Sequence, residues 1–394
     1  MSFGGPRDLA GLAALPASVG ALVFDLDGVL IDSVAADLAL CRQAAREVIG
    51  NGDWVERSQV LAHFALHPPA FWDKLCEAAP FPVPAAARRD LVAAYDRLRA
   101  SAEFELIPGA VDLMQAARAA GLPVAVASSN DVDVVAAILC RTGLERQVSA
   151  VAGITPAIAG KPAPDIYLDA ARQLGLPPAE CACAEDSLTG LRAGRAAGYG
   201  HIIAVATGAE AFEDLAAAGL ADVCHTRFAR PGVVFHDGRP TQKSIVTPND
   251  FVSHMVEHIA WRLGTGIELA WHSTDWRGLG AWLGGELRSL GLRQASAASL
   301  GMIDDGAAEC LVDLDAAPHF VFSTHASLDP EKVLDMRVEQ VGRGADLAQL
   351  LEGLAAGLAG RIEMRLCTFE DPHHSWEGVY RALGITLSRL RAAA

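Results

Sequence analysis

Two carboxylates spaced two residues apart, Asp25 and Asp27, follow the apolar run Ala21, Leu22, Val23, Phe24 and precede Gly28. The run is too short for a helix and β-biased at Val23 and Phe24. It predicts a buried strand ending at the aspartates, with Gly28 releasing the backbone into a loop. Open α/β sheets gather their ligand sites at such strand ends. There the first carboxylate can attack phosphorus as a nucleophile, while the second gives a proton to the leaving oxygen and later takes one from water. A divalent cation is needed to hold an anionic phosphate beside an anionic nucleophile. D-x-D-G alone also fits a solvated strand end, so the rest of the chain has to decide.

Three further polar clusters fall at expected strand ends. Ser128, Ser129 and Asn130 follow the apolar PVAVA, Lys161 precedes Pro162 in GKPAPDIY, and Glu185 and Asp186 follow CACA. Ser128 can hydrogen-bond a phosphoryl oxygen, with Ser129 and Asn130 beside it. Lys161 can neutralise charge on nucleophile and phosphate, and Asp186 with Asp25 can ligate a hard cation through oxygen, for which Mg2+ is best suited.

The elements that must position these groups can be read from periodicity. Short apolar runs near 21–24, 123–127, 148–152, 181–184 and 201–205 alternate with helical stretches, which predicts an α/β fold with a doubly wound parallel sheet over 21–225. Residues 34–103 interrupt the alternation and predict a separate, mostly helical cap insert. Residues 1–20 read as a loose leader. Beyond about 226 the texture changes, which sets a domain boundary there and leaves 226–394 as a second domain.

Composition bounds the rest. The 394 residues, 51% of them apolar, allow more than one core. The net charge of −16, with 48 acidic against 32 basic residues and no long basic run, disfavours nucleic acid and anionic membranes as partners. No apolar run reaches the roughly 18 residues of a membrane span, and the N-terminus lacks the order of a secretory signal, so a cytoplasmic location is expected. The eight cysteines are scattered without C-x-x-C spacing, which predicts reduced thiols.

DLDGVLIDS, VASSN, GKPAPDIY and AEDSLTGLRAGRAAG together resemble the four motifs of the haloacid dehalogenase-like hydrolases, over about residues 20–225. The resemblance implies that Asp25 forms an aspartyl-phosphate and Asp27 is the general acid/base. It also implies Mg2+ held by Asp25, the backbone carbonyl of Asp27 and Asp186, with Glu185 close by. Asp27 argues for phosphoryl transfer over dehalogenation. The cap matches the branch of phosphoglycolate phosphatase and β-phosphoglucomutase, in which it closes over the site. The sugar-phosphate mutases of that branch carry a His five residues after the acid that here is Asp32. Position 37 is Asp, so hydrolysis is expected over mutase chemistry.

FVSHMVEH (251–258) and DPHHSWEGVYRA (371–382) carry the other metal-ligating pattern. On a helix His373 and Glu377 share one face while His374 points elsewhere. These stretches resemble imidazoleglycerol-phosphate dehydratase, which implies an α+β domain over 226–394. A second candidate metal set follows, His254, His373, His374 and Glu377, suited to Mn2+. That family's first H-H-x-x-E is missing, with Ser273, Thr274 and Arg277 in its slots and only His272 and Asp275 nearby. A degenerate domain serving assembly or regulation, and forming a homo-oligomer, is therefore expected. The whole chain reads as a Mg2+-dependent phosphomonoesterase of a small sugar or polyol phosphate. A bifunctional histidine-pathway enzyme, histidinol-phosphate phosphatase with dehydratase, is the alternative, followed by a sugar-phosphate mutase.

Overall fold

Leu22 and Phe24 point to one face of the strand Ala21–Phe24 and Ala21 and Val23 to the other, and all four are fully buried, because helices cover both faces. The structure, a computed structural model, describes residues 7–64, 66–237, 244–339 and 341–391. The chain forms two compact units, Met1–Arg230 and Pro231–Ala394.

In the first unit six parallel strands run in the order Ala150–Ile154, Val124–Asp131, Ala21–Phe24, Cys181–Glu185, His201–Val205, Val223–His225. The chain builds outward from Ala21–Phe24 on one side, then returns to build on the other. The direction of winding therefore reverses beside this strand, and its carboxyl end opens into the crevice where such sheets bind ligands. Ser128, Ser129 and Asn130 lie within the carboxyl half of the strand Val124–Asp131 rather than after it.

Residues 7–20 are not the loose leader their sequence suggests. Arg7–Asp8 pairs with Ala14–Leu15, and Leu9, Leu12, Leu15 and Val19 are buried in the same cluster as Leu22 and Phe24. Residues 1–6 of that expected leader lie outside the described residues.

The insert is a four-helix cap: Ser33–Ile49, Arg57–His63, Pro68–Glu77 and Ala85–Ser101. Asp32 caps the first helix by accepting from the Ala35 N–H, and Gly50 ends it in the left-handed conformation. Pro68, whose missing N–H has no helical partner to lose, opens the third. The cap has a core of its own, in which the rings of Phe71, Trp72 and Tyr95 meet pairwise at 5.9 Å.

The second unit is α+β. Its main sheet orders Ser296–Ile303, Gly306–Asp313, Arg361–Thr368 and His319–Thr324; the first two pairings are antiparallel and the last is parallel. Helices Asp250–Leu263, Trp276–Ser289, Gly344–Leu358 and Pro372–Arg391 bury one contiguous apolar cluster against it. The helices Trp276–Ser289 and Gly344–Leu358 touch backbone to backbone. A Cβ on Gly353 would lie 2.0 Å from the Arg277 carbonyl oxygen, and one on Gly280 2.0 Å from that of Leu350. Among the described residues no helix is long and apolar enough to cross a membrane.

Candidate active site

Because the strands are parallel, the carboxyl ends of Ala21–Phe24, Val124–Asp131 and Cys181–Glu185 converge, and Asp25, Asp27, Ser128, Ser129, Asn130, Lys161 and Asp186 line one cleft with cap residues above them. The Lys161 ammonium organises its floor. It donates to Asp25 Oδ1 at 2.6 Å, to Glu185 Oε1 at 2.6 Å and to the Ala127 carbonyl at 2.9 Å. Burial works against its charge, yet the carboxylates of Asp25 and Glu185 outweigh burial and hold its pKa above the usual lysine range. Lys161 is therefore a fixed cation beside the nucleophile.

Asp25 is pushed up to about 8, first by burial and then by the neighbouring charge of Glu185, with Lys161 pulling the other way. Asp186 is raised well above the carboxylate range by burial and by Asp25. Such crowding of carboxylates signals a site that a cation would relieve. Oxygens of Asp25, Glu185 and Asp186 all lie within 4.8 Å of one another. The donors are all oxygen, which suits a hard cation. Backbone presses close around them: a Cβ on Gly208 would lie 1.6 Å, and one on Gly28 2.1 Å, from Asp186 Oδ2. Only glycines leave room for that carboxylate.

Glu185 is placed differently from the other two. It is fully buried, and Lys161, the Tyr167 hydroxyl and Ser187 Oγ all donate to it. Its position is thus that of a group supporting Lys161, with Asp25 and Asp186 the more open pair. Tyr167 belongs to the GKPAPDIY segment, and its role as an anchor of Glu185 had no signature beyond that motif.

Ser128 Oγ accepts from the side-chain amide of Asn130 at 2.9 Å and from its backbone N–H at 3.3 Å, which leaves the hydroxyl proton to donate outward. The same Asn130 amide donates to Asp27 Oδ2 at 2.6 Å. Ser129 Oγ accepts from the Lys161 backbone N–H at 3.3 Å and so ties the lysine loop to the serine strand.

The cap supplies Asp37, Phe64, Leu66, Pro68, Phe71, Tyr95 and Arg99. Asp37, which stands where the mutases carry His, is buried and paired to Arg99, and burial pushes it up to about 6 against the pull of that guanidinium. The cleft holds a volume of about 40 Å3, space for about three waters.

A family profile described as haloacid dehalogenase-like hydrolase matches residues 19–198. The protein CbbY of Cereibacter sphaeroides is 32% identical over 203 residues, covering 47% of this chain and 84% of that protein. The chain belongs to the haloacid dehalogenase-like hydrolases. Hexitol phosphatase A of Escherichia coli is 31% identical over 195 residues, covering 46% of this chain and 81% of that hydrolase. The crystal structure of CbbY from Rhodobacter sphaeroides in complex with phosphate aligns with a TM-score of 0.45 at 28% identity, covering 54% of this chain and 95% of that one. This haloacid dehalogenase-like hydrolase is a phosphoric monoester hydrolase, related to sugar-phosphate phosphatases and to β-phosphoglucomutase.

In the second unit the structure brings together three of the four expected ligands. Glu377 Oε1 lies 2.7 Å from His254 Nε2 and 3.2 Å from His373 Nε2. His374 turns away to Asp305, at 2.7 Å, because a neighbour in helical sequence lies about 100° around the axis. His258, not counted as a ligand from sequence, is buried with its Nε2 3.3 Å from Glu377, and burial followed by the charge of His254 pushes it down to about 4.

Proposed function

We propose that the protein hydrolyses a small sugar or polyol phosphate through an aspartyl-phosphate on Asp25. The observation that carries this reading is the Lys161 ammonium fixed 2.6 Å from Asp25 Oδ1, with Ser128, Asn130, Asp27 and Asp186 around the same cleft. The Asp25 carboxylate oxygen forms a bond to phosphorus as the ester P–O bond breaks, and Asp27 gives a proton to the departing alkoxide. Water then attacks the phosphoryl group, its proton passes to Asp27, and the Asp25–P bond breaks to release inorganic phosphate. Ser128 and Lys161 donate to the phosphoryl oxygens, where charge builds in the transition state. Asp25 and Asp186 would hold Mg2+, which when bound offsets the negative charge of phosphate and nucleophile.

Hydrolysis is favoured over mutase chemistry because Asp37, in the mutase histidine position, is committed to Arg99. The substrate class rests on relatives named as a hexitol phosphatase and a β-phosphoglucomutase. A panel of hexose, pentose, hexitol and histidinol phosphates should give phosphate release in a Mg2+-containing buffer, highest for a sugar or polyol phosphate. Preference for histidinol phosphate would instead support the histidine-pathway reading. Interconversion of a sugar 1-phosphate and 6-phosphate without phosphate release would support the mutase. We place the enzyme in the cytoplasm on its sequence.

For the second unit we propose a dehydratase-derived domain that binds a divalent cation, Mn2+ among the candidates, and joins copies of the chain rather than turning over substrate. The convergence of His254, His373 and Glu377 donors within 4.8 Å supports it. Glu377→Gln should lower Mn2+ affinity at least about tenfold by calorimetry, and Mn2+ removal should shift the assembly to smaller species in light scattering. Dehydration of imidazoleglycerol phosphate on adding Mn2+ would overturn the non-catalytic reading.

A further inference from the structure

Arg99 sits in the last turn of the cap helix Ala85–Ser101 and is 1% exposed. Its guanidinium pairs with Asp37 on the first cap helix through one terminal nitrogen and reaches across the cap boundary to Asp27 Oδ1 through the other. The first nitrogen also donates to the Tyr95 hydroxyl at 3.1 Å, and the rings of Tyr95 and Phe104 lie over the guanidinium carbon at 5.5 and 5.2 Å. Asn130 holds the other Asp27 oxygen. Both oxygens of this carboxylate are therefore fixed, one from the core and one from the cap.

This network is costly as a stabilising device. Burying a guanidinium with two carboxylates is often no better than packing apolar groups of the same volume. The Arg99 Nε–H is moreover buried with no hydrogen-bond partner among the described residues, which is unfavourable for a buried donor. The cap already has an apolar core beside it. A charge kept here at such cost, with a planar fork that spans two carboxylates, fits a task of orientation.

We propose that Arg99 is a positioning residue through which the cap aims Asp27 at the leaving-group oxygen. The two helices that enter and leave the cap are braced together by the Arg99–Asp37 pair near the linkers to the core. The pair therefore presents the guanidinium to Asp27 from a braced element. The inference rests on the reading of Asp27 as the acid/base.

The test is single-turnover release of the leaving group from two substrates, an alkyl phosphate such as β-glycerol phosphate and 2,4-dinitrophenyl phosphate. The first leaves as a strongly basic alkoxide and needs a proton; the second leaves unprotonated. Arg99→Gln should slow release from the alkyl ester about 100-fold, within the range of general acid catalysis, and release of dinitrophenolate less than about threefold. Arg99→Lys keeps the buried charge but cannot span both carboxylates, so it should give an intermediate loss on the alkyl ester. It carries the same comparison if Arg99→Gln does not fold. In an Asp27→Asn background Arg99→Gln should add nothing, since both act through one group.

Equal losses on both substrates, or an undiminished loss from Arg99→Gln in the Asp27→Asn background, would overturn the positioning role. If Asp27→Asn itself leaves alkyl ester cleavage unchanged, the assignment of the acid fails instead.

Discussion

Replacing Asp25 by Asn should stop phosphate release, lowering turnover at least about 10⁴-fold, as expected when the covalent nucleophile is lost. An amide oxygen of the same shape cannot form the acyl phosphate, and no neighbouring carboxylate stands in the same place: Glu185 is fully buried under Lys161 and Tyr167. The fold should survive. Lys161 keeps the carboxylate of Glu185 and the Ala127 carbonyl as acceptors, and the substitution removes a charge that burial and Glu185 oppose. The sign of the pH effect follows. A carboxyl whose folded pKa is raised to about 8 keeps a proton that the unfolded chain gives up, so metal-free protein loses stability as pH climbs from the ordinary carboxylate range toward 8. Asp25→Asn should lack that contribution and melt no lower than the parent at pH 8 in EDTA. Undiminished hydrolysis of p-nitrophenyl phosphate by the folded variant would remove Asp25 from the mechanism.

How much of this site is legible in the chain depends on what kind of element holds each group. Asp25, Ser128, Lys161 and Asp186 come at or beyond the ends of apolar runs, and a parallel α/β sheet brings successive strand ends to one edge whatever the intervening length. Order along the chain is then nearly enough to place them. The cap residues follow another logic. Arg99 is one of four arginines in the helix Ala85–Ser101, and only tertiary packing distinguishes the one that turns inward. Asp37 could be noticed as a departure from the mutase pattern, but its partner lies 62 residues away on another helix. The N-terminal stretch failed for a related reason. Leu9, Leu12, Leu15 and Val19 recur at helix-like spacings of three and four, but glycine and proline interrupt the run and no helix forms there, so nothing local reveals that they cover the sheet. In the second unit the His and Glu spacing foretold which side chains share a face, while His258 entered the cluster through a burial that sequence does not show.

Chelation should abolish turnover, by at least about 10³-fold, and Mg2+ should restore it, with a thermal shift that grows with pH. Two buried carboxylates, Asp25 and Asp186, set this response. Asp25 and Asp186 are both raised, first by burial and then by charge from neighbouring carboxylates, Asp25 to about 8. A cation binds only the deprotonated pair, and protons compete with it. At pH 5 competition is strong and Mg2+ should move the melting temperature little. At pH 8, close to where Asp25 loses its proton, competition is weaker, and saturating metal at 100 times its dissociation constant should stabilise the folded chain by about 2.7 kcal/mol. Asp186→Ala should lose both the activity and the thermal response while remaining folded, since its carboxylate is packed against Gly28 and Gly208 without an ion-pair partner of its own among the ion pairs described. Gly208→Ala tests the same carboxylate from outside it. A methyl 1.6 Å from Asp186 Oδ2 must displace that oxygen, so Mg2+ affinity should fall in a variant that changes no ligand. A Mg2+ shift in melting temperature that is equal at pH 5 and pH 8, or that persists in Asp186→Ala, would show that the cation binds elsewhere.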